Sequence, residues 1–543
     1  MPPASLTRRE TVAGAAALAL VAGRAAAQTP PEATGTVSVA DPSGARAPLP
    51  GALVSNGREV VRTDAGGRYR LPMPGDGAVF VIKPRGYALP RDADNLPRYG
   101  YIHQPEGTPA ALGLRYRGLA PTGPLPAAID FTLTRSEEPD DFDVLLFTDP
   151  QPESRHELGH VRDTAVARAM AIPAAFGITT GDVLFDDLSL YGRSNRIVGR
   201  IGVPWYNLPG NHDLNMQAPD ARYSRETWKR VFGPPSYAFH HGRALFILLD
   251  NVEWFGPPVP VGSNSYRGRI GEANLAFVRN LLAETPPETL IVLATHIPLW
   301  TDADPDARNT TADRDALLDL LRGRRVLSLA GHTHTTEHHY PAEDHHHHVL
   351  TAVSGSWWSG PDTRTGIPCA DSRDGTPNGF HVLSVRGTAF TTRYVSAQGE
   401  PDPAMRILFE SEPRAGAPEM VRASLPLHAL RPPVPQDALA DTEMVVNVFD
   451  GGPRTRLTCR IGDGPPLALT RTRRPDPFVT ELYARYPDAK KSWVKALPSS
   501  HIWTARLPAD LAPGAHRVIV EGSDEYGRPL RSAVVLEVTG ARG

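Results

Sequence analysis

Residues 208–213 read LPGNHD and directly follow an apolar run that begins at Val203. The run predicts a short buried strand, so the polar residues should emerge at its C-terminal end, where open α/β sheets bind their ligands. Asn211 offers an amide oxygen, His212 a titratable nitrogen, and Asp213 a carboxylate able to orient an imidazole. The stretch therefore suits a metal site with an acid beside it, although an isolated GNHD is also typical of an ordinary polar turn.

Four other segments repeat this design of an apolar strand followed by a polar end. They are residues 144–151 (VLLFTDPQ), 176–182 (FGITTGD), 290–296 (LIVLATH) and 326–334 (VLSLAGHTH). With 208–213 they place Asp, Asp, Asn, His and His-x-His at strand ends in chain order. Each segment alone indicates little, but the five together indicate one composite site at the edge of a sheet.

The order of these motifs resembles that of the calcineurin-like metallophosphoesterases, whose pattern is Asp-x-His, Gly-Asp, Gly-Asn-His-Asp/Glu, His and Gly-His-x-His. The resemblance implies an α/β fold with a four-layer αββα core, in which two facing sheets are flanked by helices. It also implies that Asp182 bridges two divalent metal ions. The other ligands that it implies are Asp149 and His334 for one ion, and Asn211, His296 and His332 for the second.

One position departs from the family pattern. Where most members have Asp-x-His, this chain has Asp149, Pro150 and Gln151. The amide oxygen of Gln151 could still ligate, and it would favour harder ions such as Mn²⁺ or Mg²⁺ over Fe or Zn²⁺. A subset of calcineurin-like enzymes shares Asp-x-Gln. We therefore predict that Gln151 is a ligand and that the site is a working variant. Mn²⁺ is the preferred metal, with Mg²⁺, Fe and Zn²⁺ left open.

The ligand types suit phosphoryl chemistry, because a carboxylate can bridge two divalent ions about 3.5–4 Å apart. The resemblance implies that a hydroxide between the ions attacks phosphorus in line while the metals neutralise the non-bridging oxygens. His212, oriented by Asp213, would then protonate the leaving alkoxide. The predicted substrate is a small phosphate ester, either a diester or a monoester.

Two alternatives to this function stay open. The first is hydrolysis of a nucleotide sugar or another pyrophosphate, since one metal core serves all these substrates in the family and pocket shape decides among them. The second is a catalytically degenerate glycan-binding protein in which Gln151 marks lost catalysis. The nearly complete ligand set argues against the second alternative.

Length and composition bound the architecture. A chain of 543 residues is too long for one core and predicts about three or four domains. Its 41% hydrophobic and 22% charged residues are typical of a soluble globular protein. A net charge of -3 gives no reason to expect a nucleic-acid polymer or an anionic membrane as partner. The oligomeric state stays open.

Two all-β regions are predicted to flank the catalytic domain. Residues 34–134 alternate short strands with turns and predict a small sandwich. This region resembles the transthyretin- or Ig-like domain found in front of some secreted calcineurin-like enzymes. Residues 141–397 alternate strands and helices and predict the calcineurin-like phosphoesterase domain. From 400 to 540 the β alternation returns and resembles the C-terminal β domain of the same subgroup.

Residues 1–27 predict an export signal. Arg8 and Arg9 precede an apolar Ala-rich segment, and three alanines supply a cleavage site before Gln28. The paired arginines resemble a twin-arginine signal. The apolar segment is too short to span a bilayer, and no other stretch approaches the roughly 20 apolar residues that a spanning helix needs. The mature protein is therefore predicted to be periplasmic or secreted, without stable membrane insertion.

The cysteines and the clustered histidines are assigned no role in catalysis. Cys369 and Cys459 are predicted to be unpaired thiols, since no spacing rule supports a bridge between them. The histidines at 338–339 and 345–348 predict a solvated loop with adventitious metal affinity.

The tryptophans near the predicted site allow two interpretations. Trp357 and Trp358 could line a substrate pocket, because aromatic faces stack on bases or sugars, or they could form a buried pair. Trp493, His501 and Trp503 in the C-terminal region are predicted to lie in the core of that domain rather than over the catalytic cleft.

Replacing both Arg8 and Arg9 by lysine tests the predicted export route. If the paired arginines direct twin-arginine export, the Arg8→Lys/Arg9→Lys precursor should accumulate in the cytoplasm. The measurement is the distribution of precursor and mature chain between cytoplasmic and periplasmic fractions. An unchanged periplasmic amount of mature protein would count against this route.

Overall fold

The computed structural model describes residues 31–257, 265–398, 404–411 and 433–540. The predicted export signal at 1–27 lies outside the described residues. Within them, no helix is both long enough and apolar enough to cross a membrane. The strands of these ranges form three successive groups along the chain, with a group built mainly of strands on either side of an α/β group.

The first group forms two small sheets. Its strands are β1 (Glu32–Ala40), β2 (Arg46–Pro48), β3 (Leu53–Ser55), β4 (Val60–Arg62), β5 (Arg68–Pro72), β6 (Gly77–Ile82), β7 (Tyr87–Ala88), β8 (Gly100–His103) and β9 (Phe131–Arg135). One sheet has the order β2-β1-β9-β7, with β5 also pairing with β1, and the other has the order β4-β3-β6-β8. Alternate residues of β1 and β5 are buried, as expected for strands with one face on a core.

The second group contains the strands whose ends carry the predicted site. These strands are β10 (Asp141–Phe147), β11 (Phe176–Thr179), β12 (Trp205–Asn207), β13 (Tyr237–His241), β14 (Ala244–Leu248), β15 (Val252–Trp254), β16 (Tyr266–Gly268), β17 (Leu290–Ala294), β18 (Val326–Ala330), β19 (Glu337–Ala342), β20 (His345–Val349), β21 (Gly379–Arg386) and β22 (Ala389–Ser396). Its helices are α1 (Glu157–Val161), α2 (Ala167–Ala169), α3 (Tyr191–Val198), α4 (Glu226–Phe232), α5 (Gly271–Ala283) and α6 (Arg314–Leu321). The five apolar runs that the sequence predicted as strands are therefore confirmed as β10, β11, β12, β17 and β18.

Two mixed sheets form the centre of this group. One has the order β12-β11-β10-β21-β22, and the other has the order β13-β14-β17-β18-β20-β19. The pairs β10/β11, β11/β12 and β17/β18 are parallel, so the carboxyl ends of these strands lie at a common edge of each sheet. This parallel pairing brings the polar motifs of each sheet side by side.

The strand β10 shows how the layers are stacked. Phe142, Val144 and Leu146 pack in the cluster shared with the second sheet and with α5 and α6. Leu145 and Phe147, which point the other way, pack in a separate cluster with α1 and α2. Both faces of the strand are thus buried, which explains its continuous apolar run. The order helix, sheet, sheet, helix is the predicted αββα core.

The third group is a β sandwich. Its strands are β23 (Met405–Ser411), β24 (Val434–Pro435), β25 (Thr442–Val448), β26 (Arg456–Ile461), β27 (Leu467–Ala468), β28 (Thr470–Pro475), β29 (Pro498–Arg506), β30 (Gly514–Ser523) and β31 (Pro529–Thr539), with helix α7 (Pro477–Arg485) between β28 and β29. The sheets β23-β25-β29-β28 and β24-β31-β30-β26-β27 enclose one apolar cluster. The side chain of Tyr483 in α7 donates to Ser356 Oγ at 2.6 Å, which ties the sandwich to the α/β group.

The four consecutive histidines at 345–348 form the strand β20 instead of a solvated loop, so that prediction is wrong. All four are buried, because β20 lies between β18 and β19. Two of them, His345 and His347, contact the hydroxyl of Ser328 at 2.8 and 2.9 Å. The burial is tolerated because the imidazoles find polar partners inside the fold. Cys369 and Cys459 are both unpaired, as predicted.

A buried ion pair joins the first group of strands to the second. Lys83 Nζ lies 2.5 Å from Glu138 Oε1, and the two side chains are only 5% and 3% exposed. Burial lowers the pKa of Lys83, although Glu138 opposes the shift. The backbone oxygen of Lys83 also accepts from His240 N of β13 at 2.8 Å. This contact fixes the N-terminal sandwich against the second sheet.

Removing the lysine should destabilise the protein strongly. We expect Lys83→Met to lower the free energy of unfolding by about 3–5 kcal/mol, because it leaves the Glu138 carboxylate buried without its cation. The measurement is urea unfolding. Arg85→Met is the matched control, since Arg85 pairs with Asp140 at 2.7 Å but its side chain is 52% exposed. This change should lower the free energy of unfolding by no more than about 1 kcal/mol. Equal effects of the two changes would contradict the structural role.

Candidate metal centre

The predicted ligands follow five strands at the common sheet edges. Asp149 and Gln151 follow β10, Asp182 follows β11, Asn211 follows β12, His296 follows β17, and His332 and His334 follow β18. All of these side chains are buried except that of His332, which is half-buried. The two sheets face each other, so the carboxylates of the first sheet meet the imidazoles of the second.

A continuous chain of contacts links all seven predicted ligands. Asp182 Oδ2 lies 3.2 Å from His296 Nε2 and accepts from Gln151 Nε2 at 2.6 Å. His296 Nε2 lies 3.1 Å from Asn211 Oδ1.

Asp149 contacts the last two ligands, His332 and His334. Its Oδ2 accepts from the backbone N of His332 at 2.9 Å, and its Oδ1 lies 3.5 Å from His334 Nε2. His332 also shares a possible metal-binding group with Asp182 and His296, whose ligand atoms all lie within 4.8 Å of one another. The structure therefore brings the seven side chains together.

Several donor atoms in this cluster are buried without a hydrogen-bond partner. They are Asp149 Oδ1, Gln151 Oε1, His332 Nδ1 and His334 Nε2. An unpartnered buried polar atom costs about 1–3 kcal/mol, and more when it is charged. Four such atoms in one pocket are explained if cations bind there, so the donor set fits divalent metal ions.

Hydrogen bonds at the far side of each imidazole set which nitrogen faces the pocket. His296 Nδ1 contacts Thr180 O at 3.0 Å, and His332 Nε2 contacts Asn309 Oδ1 at 2.9 Å. His334 Nδ1 contacts the backbone oxygen of Gly355. Since these oxygens are acceptors, each contacted nitrogen carries the proton and the other nitrogen presents a lone pair. Asn309 was not predicted from the sequence, because it lies in a loop far from any motif.

The backbone at the strand ends is strained. Asp149, Gln151, Asp182, His332 and His334 all have positive φ, between 39° and 73°. For residues other than glycine this region costs of the order of 1–3 kcal/mol each, and it concentrates at functional sites. The strain turns the side chains into the pocket. A glycine is required at 210, where a Cβ would stand 2.0 Å from Asp182 Oδ1.

Negative charge dominates the pocket. Burial would lower the pKa of His296, but the Asp182 carboxylate outweighs it and raises that pKa to about 9. The pKa of His332 falls to about 3, because of burial and the neighbouring His296. The pKa of Asp182 itself is lowered despite its burial, because His296 and His212 are close. A bound cation would replace the proton of His296, as expected for metal binding at deprotonated ligands.

The prediction that Asp213 orients the imidazole of His212 is wrong. Both oxygens of Asp213 are turned inward, where they accept from Gly210 N at 2.9 Å, Val183 N at 3.1 Å and Tyr191 Oη at 2.8 Å. The carboxylate thus holds the turn rather than the imidazole. Burial, together with the charge of Asp182, raises the pKa of Asp213 to about 6.

Asp186 takes the place predicted for Asp213. His212 Nδ1 lies 2.8 Å from Asp186 Oδ1, and the carboxylate is 44% exposed. Burial would lower the pKa of His212, but Asp182 and Asp186 raise it to about 9. Metal ions on Asp182 would offset part of this effect through their positive charge. The pair of acids in the sequence FDD at 185–187 was the available indication of a carboxylate near the site.

A buried arginine supports the turn that carries Asn211 and His212. Arg225 donates from Nη1 to Gly210 O at 2.8 Å and makes a two-pronged ion pair with Asp250 at 2.7 Å for each contact. Bidentate pairs of this kind fix geometry as well as charge. This support was not predicted, because Arg225 lies outside the five motifs.

Aromatic side chains line one side of the pocket. Phe185 stacks on His212 with ring centroids 4.4 Å apart, and Trp493 lies parallel to Phe185 at 6.0 Å. The prediction that Trp493 is a core residue is wrong, since it is 49% exposed. His501 and Trp503 are buried, as predicted. The C-terminal region therefore contributes to the surroundings of the catalytic acid candidate.

The two adjacent tryptophans divide between the two predicted roles. Trp357 is half-buried, and its ring stacks on that of His334 with centroids 3.8 Å apart. The guanidinium carbon of Arg373 lies 5.9 Å from the centroid of the Trp357 ring. Trp358 is buried and donates from Nε1 to Pro150 O at 3.0 Å. Trp357 borders the metal centre, and Trp358 supports the loop that carries Gln151.

Three family models match successive parts of the chain. Residues 142–336 match the model described as calcineurin-like phosphoesterase. Residues 36–112 match the model for the N terminal of calcineurin-like phosphoesterase, and residues 347–529 match the model for its C terminal. The last match begins inside β20 and includes β21 and β22, which complete the first central sheet.

Two curated relatives align with part of the chain. A probable glycerophosphodiester phosphodiesterase, GpdQ, from Arcobacter nitrofigilis is 27% identical over 185 residues, which are 33% of this chain and 62% of that protein. Cell division control protein 1 from Saccharomyces cerevisiae is 28% identical over 98 residues, or 18% of each chain. The chain therefore matches less than two thirds of the length of either relative.

Two solved structures match the chain at lower sequence identity than these relatives. A dimetal phosphatase from Danio rerio is 16% identical with a TM-score of 0.33, and the match covers 47% of this chain and 96% of that one. A purple acid phosphatase from yellow lupin, Lupinus luteus, is 12% identical with a TM-score of 0.36, and the match covers 64% and 67% of the two chains.

Proposed function

Because the chain belongs to the calcineurin-like phosphoesterases, a family of hydrolases, we propose that it hydrolyses a small phosphate ester at the cluster of seven ligands. The observation that carries the proposal is the set of four buried, unpartnered donor atoms in one pocket. Carboxylate, amide and imidazole donors together suit hard or borderline divalent ions. The proposed cofactor is a pair of divalent ions, with Mn²⁺ preferred.

The ligand set divides between two positions. Asp149, Gln151 and His334 would hold one ion, and Asn211, His296 and His332 the other, with Asp182 between them. When bound, the two ions would stabilise the charge that develops on the phosphate oxygens and lower the pKa of an attacking water. Gln151 supports Mn²⁺ or Mg²⁺, since its amide oxygen is a harder ligand than imidazole.

The unpartnered oxygen of Gln151 also argues against a degenerate site. Gln151 Nε2 donates to Asp182, so its Oε1 is left buried with no hydrogen-bond partner. An amide in this orientation supplies an oxygen donor where most of the family has an imidazole. The exchange changes the ligand type without removing the ligand.

His212 is proposed as the acid that protonates the leaving oxygen. Its backbone N donates to Asp182 Oδ1 at 2.9 Å, which places the imidazole beside the bridging carboxylate. Asp186 holds the Nδ1 proton, so Nε2 is the nitrogen available to the leaving group. Asp186 also favours the imidazolium form, because an adjacent carboxylate stabilises the positive charge.

A phosphodiester is the preferred substrate class. The support comes from the Arcobacter relative, which is a probable glycerophosphodiester phosphodiesterase. A diester carries one negative charge and an alkoxide leaving group, which leaves slowly without protonation. Such a substrate makes use of the acid at His212.

The site of action is proposed to be the periplasm or the exterior. The support is the arrangement of residues 1–27, with Arg8 and Arg9 before an apolar segment and a small-residue cleavage site.

Turnover of bis(p-nitrophenyl) phosphate and p-nitrophenyl phosphate with added Mn²⁺ tests the proposed function. The wild-type protein should hydrolyse the diester, and Asp182→Asn should lose both activity and bound metal, since the bridging charge is removed. The measurements are nitrophenolate release and elemental analysis. If Asp182→Asn retains two ions per chain, the bridging role is refuted. If the wild-type protein hydrolyses neither ester, the proposed function is refuted.

Leaving-group dependence tests the acid. We expect His212→Ala to slow hydrolysis of an alkyl diester by about 10²–10⁴-fold while metal content stays unchanged. The loss should shrink markedly with a nitrophenyl ester, because nitrophenolate departs without protonation. Asp186→Asn should show the same dependence on leaving group with a smaller loss, since it weakens the acid without removing it.

Asp187→Asn is the matched control for Asp186→Asn. It makes the same change of charge one residue further along, where the carboxylate accepts from Ser189 instead of from His212. Its rate should match that of the wild type on both esters. An equal loss on alkyl and nitrophenyl esters in His212→Ala would indicate substrate binding or metal support instead of an acid.

A further inference from the structure

A second group of buried ligand-type side chains lies outside the seven candidate ligands. It consists of His338 in β19, His348 in β20, His381 in β21 and Asp450, which follows β25 of the C-terminal sandwich. We call these four residues the interface cluster. The three imidazoles are 0% exposed and the Asp450 side chain is 9% exposed. The proposed phosphoesterase reaction assigns no role to any of them.

Three imidazole nitrogens surround one carboxylate oxygen. Asp450 Oδ1 lies 3.1 Å from His338 Nε2, 2.9 Å from His348 Nε2 and 3.1 Å from His381 Nε2. The ligand atoms of His338, His348 and Asp450 all lie within 4.8 Å of one another, so these three residues form a possible metal-binding group. In a tetrahedral zinc site with bonds of about 2.0–2.1 Å, neighbouring donor atoms are about 3.3 Å apart. A small shift of these three side chains would therefore admit an ion between them.

Hydrogen bonding accounts for only part of this arrangement. One carboxylate oxygen has about two lone-pair directions. His338 and His381 make hydrogen bonds to Asp450 Oδ1. His348 Nε2 is equally close, but it is buried with no hydrogen-bond partner. A third nitrogen aimed at an oxygen that is already saturated is explained if its lone pair binds a cation.

Outer contacts orient the rings in the required way. His338 Nδ1 lies 2.8 Å from His346 Nε2, and His348 Nδ1 lies 3.2 Å from the hydroxyl of Thr392. That hydroxyl in turn lies 2.8 Å from Tyr526 Oη. If His348 Nδ1 donates to Thr392, His348 Nε2 keeps a lone pair that faces Asp450. His338 Nε2 also contacts the backbone oxygen of Asp450 at 3.2 Å, so it would exchange a proton for the ion, as His296 would in the metal centre. Metal-binding histidines commonly show such support on the far nitrogen.

The backbone of Asp450 is held in an unusual conformation. Its φ is 65°, in the left-handed region that L residues other than glycine seldom adopt. Asn447, in the same strand end, is fixed by hydrogen bonds to Asp374 O and to His501. The turn therefore delivers a carboxylate from the sandwich into the space between the two central sheets.

We propose that His338, His348 and Asp450 of the interface cluster bind one structural Zn²⁺ ion. Imidazole and carboxylate are ligands that Zn²⁺ takes in proteins, and His381 holds the carboxylate by a hydrogen bond to Asp450 Oδ1. The ion would join β19 and β20 of one central sheet to the turn after β25. Its role is to fasten the C-terminal sandwich to the catalytic domain.

Zinc content of the full chain tests this proposal. Wild type, His348→Gln and His345→Gln are purified in parallel from zinc-supplemented cultures and dialysed, and zinc per chain is measured by elemental analysis. His348→Gln should contain about one zinc ion per chain less than the wild type. His345→Gln is the matched control, because His345 lies in the same buried strand but contacts Ser328 on the other face.

Two results would overturn the proposal. One is equal zinc content in the wild type and His348→Gln, and the other is an equal loss in both variants. If His348→Gln fails to fold, crystals of the wild-type protein provide the answer. Diffraction data collected on both sides of the zinc absorption edge should give an anomalous peak within bonding distance of Asp450 Oδ1 that disappears below the edge. No peak there would equally refute the site.

Discussion

Carboxylates and imidazoles converge at the strand ends in one largely buried pocket. Asp149 and Asp182 are buried at 0% and 1% exposure, and Asp149 Oδ1 has no hydrogen-bond partner. Burying an unpaired carboxylate costs several kcal/mol. Five ligand residues at strand ends also adopt left-handed backbone conformations. Both costs are offset if cations bind, so metal binding and the stability of the sheet edges are linked.

The rest of the structure holds these strand ends in place. Parallel pairing of β10 with β11 and of β17 with β18 sets the two rows of ligands side by side. Arg225 fixes the turn at Gly210, and Asp213 holds the same turn from inside through three hydrogen bonds. These groups need not contact a substrate to influence it, because they position the residues that do.

The C-terminal sandwich takes part in the site as well as flanking it. Trp493 lies parallel to Phe185, which stacks on His212, and Tyr483 hydrogen bonds to Ser356 in the loop before Trp357. The same sandwich supplies Asp450 to the interface cluster. The position of this domain is therefore coupled to the α/β group at two places, the aromatic side of His212 and the buried histidines of the interface cluster.

The five strands and the polar side chains at their ends could be predicted from local patterns. The αββα core and the assignment of seven ligands came from the resemblance to a known family. An apolar run followed by a polar residue places that residue at a strand end whatever the rest of the chain does. Tertiary structure alone decided which carboxylate meets His212. Asp213 is its neighbour in sequence, but the turn directs it inward, and Asp186 reaches the imidazole from another loop. The histidines at 345–348 lack apolar periodicity, so only pairing with β18 and β19 shows that they are a buried strand. Contacts between residues far apart in the chain, such as His338 with Asp450, cannot be predicted from local sequence patterns.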